Sequence, residues 1–482
     1  MDNAPTYHAL IAGESREPKQ TFVDVDPSTG EALAEVARCG PAEIDEAVAS
    51  ARSTFEQTWR HTSPAERAEI LRRIAESIRG QLESLADLEA RDTGKPLSQA
   101  RTDVGVAARY FEFYAGVLEA MYGDTIPLRR DLIVMTLREP YGVTAHIIPW
   151  NYPLQVGSRT VAPALAAGNC CVLKPAEEAP LTAIRLGKIA LDAGLPPGAL
   201  NVVPGLGEEA GAPLAAHPGI DHLSFTGSVE VGRLVGKAAA ESIIPATLEL
   251  GGKSPNIVFD DADLDESLPV IVGSLLQNAG QTCSAGSRLL VDERIRQEVV
   301  GSIEERFKAV TIGPGTDDPD LGPLISQRQR ERVAGHVEIG RGEAKLVWGG
   351  ATPDDEALGK GFFYLPTLFD QVPPEASIAQ EEIFGPVLAV TSFNGMEEAA
   401  RLANSTNYGL VAAIWTRDFD RAHWLAREIK AGQVFVNTYG AGGGVELPFG
   451  GYKHSGHGRE KGFEALLGFT QTKTVVLKHG TP

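Results

Sequence analysis

A chain of 482 residues, 43% hydrophobic and 22% charged, can bury a large core and should divide into two or more domains, while a formal net charge of -20 argues against nucleic acid or an anionic membrane as the main partner. The opening MDNAPTYHALIAGESREP lacks a charged start followed by an apolar core, and no stretch reaches the roughly 20 apolar residues needed to cross a bilayer, so a cytoplasmic protein is expected. Cys39, Cys170, Cys171 and Cys283 are too scattered for a disulfide framework, and the dispersed histidines offer no metal spacing, so no metal is expected.

From Pro41 to Trp59, the residues Ile44, Val48, Ala51, Phe55 and Trp59 recur at helical spacing. SPAE at 63–66 supplies a capping serine, a proline at the first helical position and a glutamate at the third. It predicts a helix with Ile70, Leu71, Ile74, Ile78, Leu82 and Leu85 on one face. Nothing in these two helices carries chemistry. Between about 140 and 260, the short apolar runs GVTAHIIPW, NCCVLKP, LNVVPG, DHLSFTGS, ATLELGG and NIVF alternate with helical stretches. That alternation implies an α/β fold with a parallel sheet covered on both faces, and such sheets bind ligands beyond the carboxyl ends of their strands. Cys170 and Cys171, adjacent within one strand, read as buried hydrophobes on opposite faces. A second alternating region, from about 260 to 455, contains SRLLV, VLAVTSF, LVAAIWT and GQVFVNT, with one glycine-rich loop, AGGG at 441–444. Two α/β domains fit best.

Several short stretches at the ends of these strands carry functional groups. FTGSVEVG, Phe225 to Gly232, should open a helix whose N–H groups and dipole suit phosphate, and GLGEEAG, Gly205 to Gly211, is one residue longer than the usual dinucleotide fingerprint. Either run alone is more often simply a tight turn into a helix. KPAE places Lys174 and Glu177 where a ribose could be held, or as a surface ion pair. ELGGKSP ends an apolar strand on Glu249, where partial burial would raise the carboxyl pKa towards that of a general base; a capping or salt-bridged glutamate is the alternative. IIPWNYP offers Asn151 as an oxyanion donor or as a turn residue. In QNAGQTCSAGSR the small neighbours of Cys283 leave room for another molecule, whereas an inert cysteine would usually sit in an apolar stretch.

In this order and at these spacings, PWNYP, KPAE, FTGS, ELGGKSP, GQTCSAGSR, EEIFGPV and PFGGYKHSGHGRE resemble the signature series of the NAD(P)-dependent aldehyde dehydrogenase superfamily, over nearly the whole chain. The resemblance implies a Rossmann-like NAD-binding domain (1–120 and 141–250), an α/β catalytic domain (251–455), and a small β oligomerisation arm with the tail (121–140 and 456–482), hence a homodimer or homotetramer. It makes Cys283 the nucleophile, Glu249 the general base and Asn151 an oxyanion donor together with the Cys283 N–H. Lys174 and Glu177 would hold the adenosine ribose, Gly227 and Ser228 the pyrophosphate, and Glu382 and Phe384 the nicotinamide ribose and ring. Ile147, Trp150, Gly207, Gly211, Phe225 and Leu250 complete the implied cofactor site. Glu177 favours NAD, because its carboxylate repels a 2′-phosphate; Lys174 partly offsets this and leaves NADP possible.

Relatives that pass the acyl group to coenzyme A generally lack the glutamate, so Glu249 implies hydrolysis to a free acid. The substrate pocket implied by the resemblance comprises Tyr152, Arg159, Thr282, Ser284, Tyr439 and Val445. Arg159 either binds a substrate carboxylate, as in several semialdehyde dehydrogenases, or pairs with a protein carboxylate. The glycines near 442 suggest room for a bulky or aromatic aldehyde. A catalytically silent protein of the same fold, and an esterase using the same thiol without NAD, are the competing readings.

Overall fold

The computed structural model describes residues 5–440 and 444–480; Ala441, Gly442 and Gly443 of the glycine-rich loop lie outside the described residues. One sheet of eight strands has the spatial order Gly456–His457, Ala246–Glu249, His222–Thr226, Val143–Ile147, Cys170–Lys174, Leu200–Val202, Ala9–Ile11 and Glu14–Arg16. Ala246–Glu249 through Leu200–Val202 pair in parallel. The apolar runs that predicted these strands are buried because helices cover the sheet, among them Pro153–Ala167, Leu181–Asp192 and Val229–Ser242. Cys170 and Cys171 are buried in its interior.

A second sheet of seven strands runs Lys345–Trp348, Thr367–Asp370, Val387–Phe393, Arg288–Asp292, Pro255–Val258, Val411–Trp415 and Gln433–Val436, with Lys345–Trp348 antiparallel to its neighbour. Pro255–Val258, which continues the first alternating run in sequence, lies inside this second sheet between Arg288–Asp292 and Val411–Trp415. The chain changes sheets across Gly251 and Gly252. Gly252 leaves no room for a side chain, since a Cβ there would lie 2.3 Å from the Cys283 carbonyl oxygen, and a Cβ on Gly251 would lie 2.2 Å from the Glu382 carboxylate, which would have to move.

Smaller elements frame these layers. Thr6–Tyr7, Ala32–Ala37 and Thr21–Val25 form a three-stranded sheet, and Leu132–Pro140 pairs antiparallel with Thr470–Lys478 along its whole length. The tail does more than form this ribbon. Gly456–His457 adds an antiparallel strand beside Ala246–Glu249, and Ala465 and Leu466 of the helix Gly462–Gly468 are buried in the core of the first sheet. At Gly456 the φ is +112°, and a Cβ would lie 1.9 Å from the Leu248 carbonyl oxygen, so only glycine lets this strand approach.

Ser63 caps the helix Pro64–Gly80, with the Glu66 carboxylate returning a bond to the Ser63 N–H at 2.9 Å, as SPAE predicts. Leu82 and Leu85 belong instead to a separate helix, Leu82–Thr93, because the chain leaves helical geometry at Gln81 (φ -112°, ψ 18°). No helix among the described residues is long and apolar enough to cross a membrane.

Candidate active site

The carboxyl ends of the first sheet's parallel strands open onto a cavity of about 940 Å³, into which Ile147, Lys174, Phe225 and Glu249 all face. Residues of the second sheet and its loops close the other side, including Cys283, Glu382, Phe384, Phe435 and Tyr439. The cavity has two chemically different ends.

At one end Ser228 caps the helix Val229–Ser242, its hydroxyl accepting from the Val231 N–H at 3.3 Å, so the positive end of the helix dipole faces the cavity. Gly227 precedes it, and a Cβ there would lie 2.5 Å from the Phe225 ring. Lys174 Nζ meets Glu177 Oε2 at 3.1 Å, and the Gly207 N–H donates to Glu177 Oε1 at 3.4 Å. Burial pushes the Glu177 carboxyl up, but the Lys174 ammonium and these hydrogen bonds outweigh it and hold the group below its ordinary pKa. Glu382 Oε1 accepts from the Gly252 N–H at 2.9 Å, while burial pushes its carboxyl up to about 7. Phe384 stands edge-on to Trp150 with ring centroids 5.3 Å apart. Its φ of +59° is costly for a bulky residue, and Gln329 holds its carbonyl oxygen at 2.7 Å. Leu250 also lines this end. Gly211 does not line the cavity: it sits buried in a π-helical turn, Gly207–Gly211, beside the Lys174 side chain.

At the other end the thiol sits on an irregular turn. Asn278, Ala279 and Gly280 all have positive φ, at 49°, 54° and 74°, and a Cβ on Gly280 would lie 2.3 Å from the Gly385 carbonyl oxygen. This turn follows the helix Leu264–Leu276 and delivers Cys283, half-buried, to the cavity wall. Asn151 Nδ2 donates to the Gln281 carbonyl at 2.8 Å, which ties the PWNYP loop to the thiol's own turn. From behind, Lys95 Nζ and Asn278 Nδ2 donate to the Asn151 carbonyl at 3.0 and 2.9 Å. Lys95 is fully buried between Glu89 and Asp103, at 3.3 and 2.6 Å. Tyr152 OH and Thr282 Oγ1 share a hydrogen bond of 2.6 Å, and Tyr439 OH donates to the Ser284 carbonyl at 2.5 Å. The two residues beside the thiol are thereby fixed.

Burial pushes the Cys283 thiol up to about 11; Arg159 and Lys461 pull it down, and Glu382 and Glu249 add to the rise. Glu249 is 2% exposed, and neither carboxylate oxygen has a hydrogen-bond partner among the described residues. Burial, reinforced by the charge of Glu460, raises its pKa well above the ordinary carboxylate range against the opposing pull of Arg159. A buried carboxyl without a hydrogen-bond partner holds its proton more tightly than one in water.

For the pocket, one open alternative is decided and one expectation needs correction. Arg159 lines the cavity, but its guanidinium is ion-paired with buried Glu460 and donates to Thr226 Oγ1 at 3.2 Å, so it is committed to protein groups and is not presented to a ligand carboxylate. Glu460 is held in turn by Ser224 Oγ at 3.1 Å. Val445 is absent from the cavity wall; it is buried in the first sheet's core, and its carbonyl accepts from the Gly462 N–H at 2.8 Å. The cavity also includes Phe435, Phe449 and Lys461, which the sequence reading did not single out. Phe449 and Lys461 lie within or beside PFGGYKHSGHGRE, so that motif was the available signal. Among the described residues no cluster of three or more His, Cys, Asp or Glu could hold a metal ion.

This chain has close relatives. A profile described as the Aldehyde dehydrogenase family matches residues 14–475. The chain is 44% identical over 468 residues to Aldehyde dehydrogenase family 2 member B4, mitochondrial, from Arabidopsis thaliana, covering 96% of this chain and 86% of the relative. The NAD+ complex of an aldehyde dehydrogenase from Bacillus cereus superposes with a TM-score of 0.96 at 40% identity, covering 98% of this chain and 97% of that one. The NAD+ complex of betaine aldehyde dehydrogenase from Staphylococcus aureus gives 0.97 at 35% identity, covering 99% and 95%. With a half-buried thiol, an unpartnered buried glutamate and a tethered asparagine converging beyond the strand ends, and with these matches spanning almost its whole length, the chain belongs to the Aldehyde dehydrogenase family.

Proposed function

We propose that this aldehyde dehydrogenase oxidises its aldehyde to the free carboxylic acid with NAD, through a thioester on Cys283 that Glu249-activated water releases. The observation that carries this reading is the presence in one cavity of the Cys283 thiol and of the Glu249 carboxyl, which has no hydrogen-bond partner among the described residues, beside the Asn151 side-chain amide. The Cys283 thiol gives its proton to solvent water and its sulfur adds to the aldehyde carbon. The carbonyl pair moves onto oxygen, where the Asn151 Nδ2 and the Cys283 N–H donate to the new oxyanion. NAD, when bound, supplies the acceptor for the hydride that the oxyanion expels as it re-forms the carbonyl. Glu249 in its ionised form then takes a proton from water as the water oxygen attacks the thioester carbon; the C–S bond breaks, the carboxylic acid leaves, and the proton held by Glu249 returns to the sulfur.

The polar groups at the other end fit the dinucleotide. The capped helix suits a pyrophosphate, the Lys174 and Glu177 pair a ribose, and Glu382 the second ribose. Glu177, kept ionised by Lys174, favours NAD over the 2′-phosphate of NADP. In this reading the NAD-binding unit comprises 1–120 and 141–250, and the catalytic unit 251–455. The ribbon formed by Leu132–Pro140 and Thr470–Lys478, with Ile133, Leu137, Val476 and Leu477 exposed, joins subunits as a homodimer or homotetramer. A cytoplasmic location belongs to the same proposal.

Replacing Glu249 by Gln tests the mechanism. The variant should release one burst of NADH per site and then stall, with steady turnover about a hundredfold to ten-thousandfold slower and an acyl adduct on Cys283 visible by intact-protein mass spectrometry. Unchanged steady turnover without an adduct would overturn the role of Glu249. No NADH from the unmodified enzyme with any aldehyde, while ester hydrolysis continues, would favour the esterase.

A further inference from the structure

One buried face of the first sheet is polar. In the strand Val143–Ile147, Thr144 and His146 alternate with Val143, Ala145 and Ile147, and in its neighbour His222, Ser224 and Thr226 alternate with Leu223 and Phe225. His146 is in register with Ser224, and Thr226 with Glu249. A sheet covered on both sides is ordinarily apolar on both, yet this stripe leads across the strands to the carboxyl of the reacting end. The helix Pro153–Ala167 lies over it and adds Arg159 and Thr160.

The stripe is bonded in series. His146 Nδ1 lies 2.7 Å from Thr160 Oγ1, Thr160 Oγ1 donates to Ser224 Oγ at 2.9 Å, and Ser224 Oγ donates to Glu460 Oε1 at 3.1 Å. At the far end Thr144 Oγ1 lies 2.7 Å from His146 Nε2. Thr144, His146, Thr160, Ser224 and Glu460 are all buried, so water does not substitute for these links.

Each hydroxyl has one proton to give, and this fixes the direction of the series. Glu460, ion-paired with Arg159, accepts from Ser224, so the Ser224 oxygen accepts from Thr160 and the Thr160 oxygen from His146 Nδ1. Burial, with His222 adding to it, lowers the His146 pKa to about 3 and leaves the ring neutral. Its one N–H is therefore on Nδ1, and Nε2 accepts from the Thr144 hydroxyl, whose other acceptors, the Cys170 carbonyl and the Cys171 sulfur, lie farther off at 3.3 and 3.5 Å. The opposite tautomer would leave the Ser224 oxygen without a donor.

Resting on the dehydrogenase reading, we propose that His146, held as its Nδ1–H tautomer, is a positioning residue: through Thr160 and Ser224 it orients Glu460, whose charge beside Arg159 tunes Glu249 for taking the water proton. Arg159 also donates to Thr226, the register neighbour of Glu249, so the ion pair stands one strand from the base. After burial, the Glu460 charge is the main influence raising the Glu249 pKa, and Arg159 opposes it. Arg459 and Lys461 beside Glu460 also act on Glu249, and Cys283 faces it across the cavity. Tyr110 and Tyr114 of the helix Leu97–Val117 face Glu460. With the series broken, the negative charge of Glu460 is held less firmly, so Glu249 ionises at lower pH and becomes a weaker base.

The test follows decay of the Cys283 acyl adduct after a single NADH burst in the full-length enzyme, by rapid quench and intact-protein mass spectrometry, over roughly pH 6 to 9. In His146→Leu the rising limb of the decay rate should move about half a unit to lower pH and its plateau should fall about threefold to tenfold. Ser224→Ala, which breaks the series at its other end, should give the same shift, and His146→Asn, whose amide can donate to Thr160 from the place of Nδ1, should restore part of it. A loss of packing alone would reduce the burst amplitude and leave the limb in place. A limb unmoved in His146→Leu and Ser224→Ala, or moved in only one of them, overturns the proposal. If His146→Leu does not fold, the proposal requires a larger shift in Ser224→Ala than in His146→Asn, and the reverse order overturns it. No NADH burst or no adduct in the unmodified enzyme would instead strike the dehydrogenase reading itself.

Discussion

The two ends of the cavity are built to opposite rules. Around Ser228, Lys174, Glu177 and Glu382 the polar groups already have protein partners, so a bound molecule meets preset donors and acceptors. Around Cys283 the supporting groups are equally fixed, from Lys95 behind Asn151 to Tyr152 on Thr282, yet the Glu249 carboxyl has no hydrogen-bond partner among the described residues. A satisfied group holds a ligand at little cost, whereas a buried, unsatisfied carboxyl keeps a high proton affinity and can exchange a proton during a reaction. The difference separates binding from chemistry within one cavity.

The sharpest way to break that contrast is to strand a second carboxylate at the reacting end. Arg159→Met would leave Glu460 buried without its cation and should cost about 3–5 kcal/mol of stability, read as a lower midpoint in urea unfolding. An unchanged midpoint would mean that the Arg159 to Glu460 pair does not support this wall.

Acidity offers a second probe. Burial raises the Glu249 pKa well above the ordinary carboxylate range and that of the Cys283 thiol to about 11, so the reactive, deprotonated forms of both groups gain population as pH rises. From roughly pH 6 to pH 9, kcat/KM should climb, approaching tenfold per unit where one deprotonation limits the rate. A flat profile would place both groups outside the rate-limiting chemistry. Removing a positive charge near the thiol moves the rise to higher pH, because the thiolate loses a stabilising field.

At the binding end the expected effects are smaller. Glu177→Gln should raise KM for NAD about tenfold and narrow the preference over NADP, with kcat little changed. A fall in kcat with KM constant would contradict the division of labour between the ends.

Local signals were read well where a feature depends on neighbours in sequence. The Ser63 and Glu66 capping box, the helix opened by FTGSVEVG and the placement of Glu249 at a strand end each need only a few consecutive residues, and the structure has all three. Leu82 and Leu85 were assigned to the wrong helix because their spacing continues the apolar stripe past Gln81, where the backbone turns. Pro255–Val258 joined the other sheet because an apolar strand carries no mark of which sheet receives it. The sequence reading kept both fates open for Arg159, and Glu460, far along the chain, decided between them.

By itself, the sequence determined the alternation of apolar strands and helices, the caps, and an ordered motif series specific enough to identify the family before any coordinates. Those features follow from periodicity and neighbouring groups. Only the tertiary structure decided that Arg159 pairs with Glu460 and that Cys283 and Glu249 line one cavity. Charge pairing and desolvation are set by distances between side chains far apart in the chain, and local pattern carries no information about those distances.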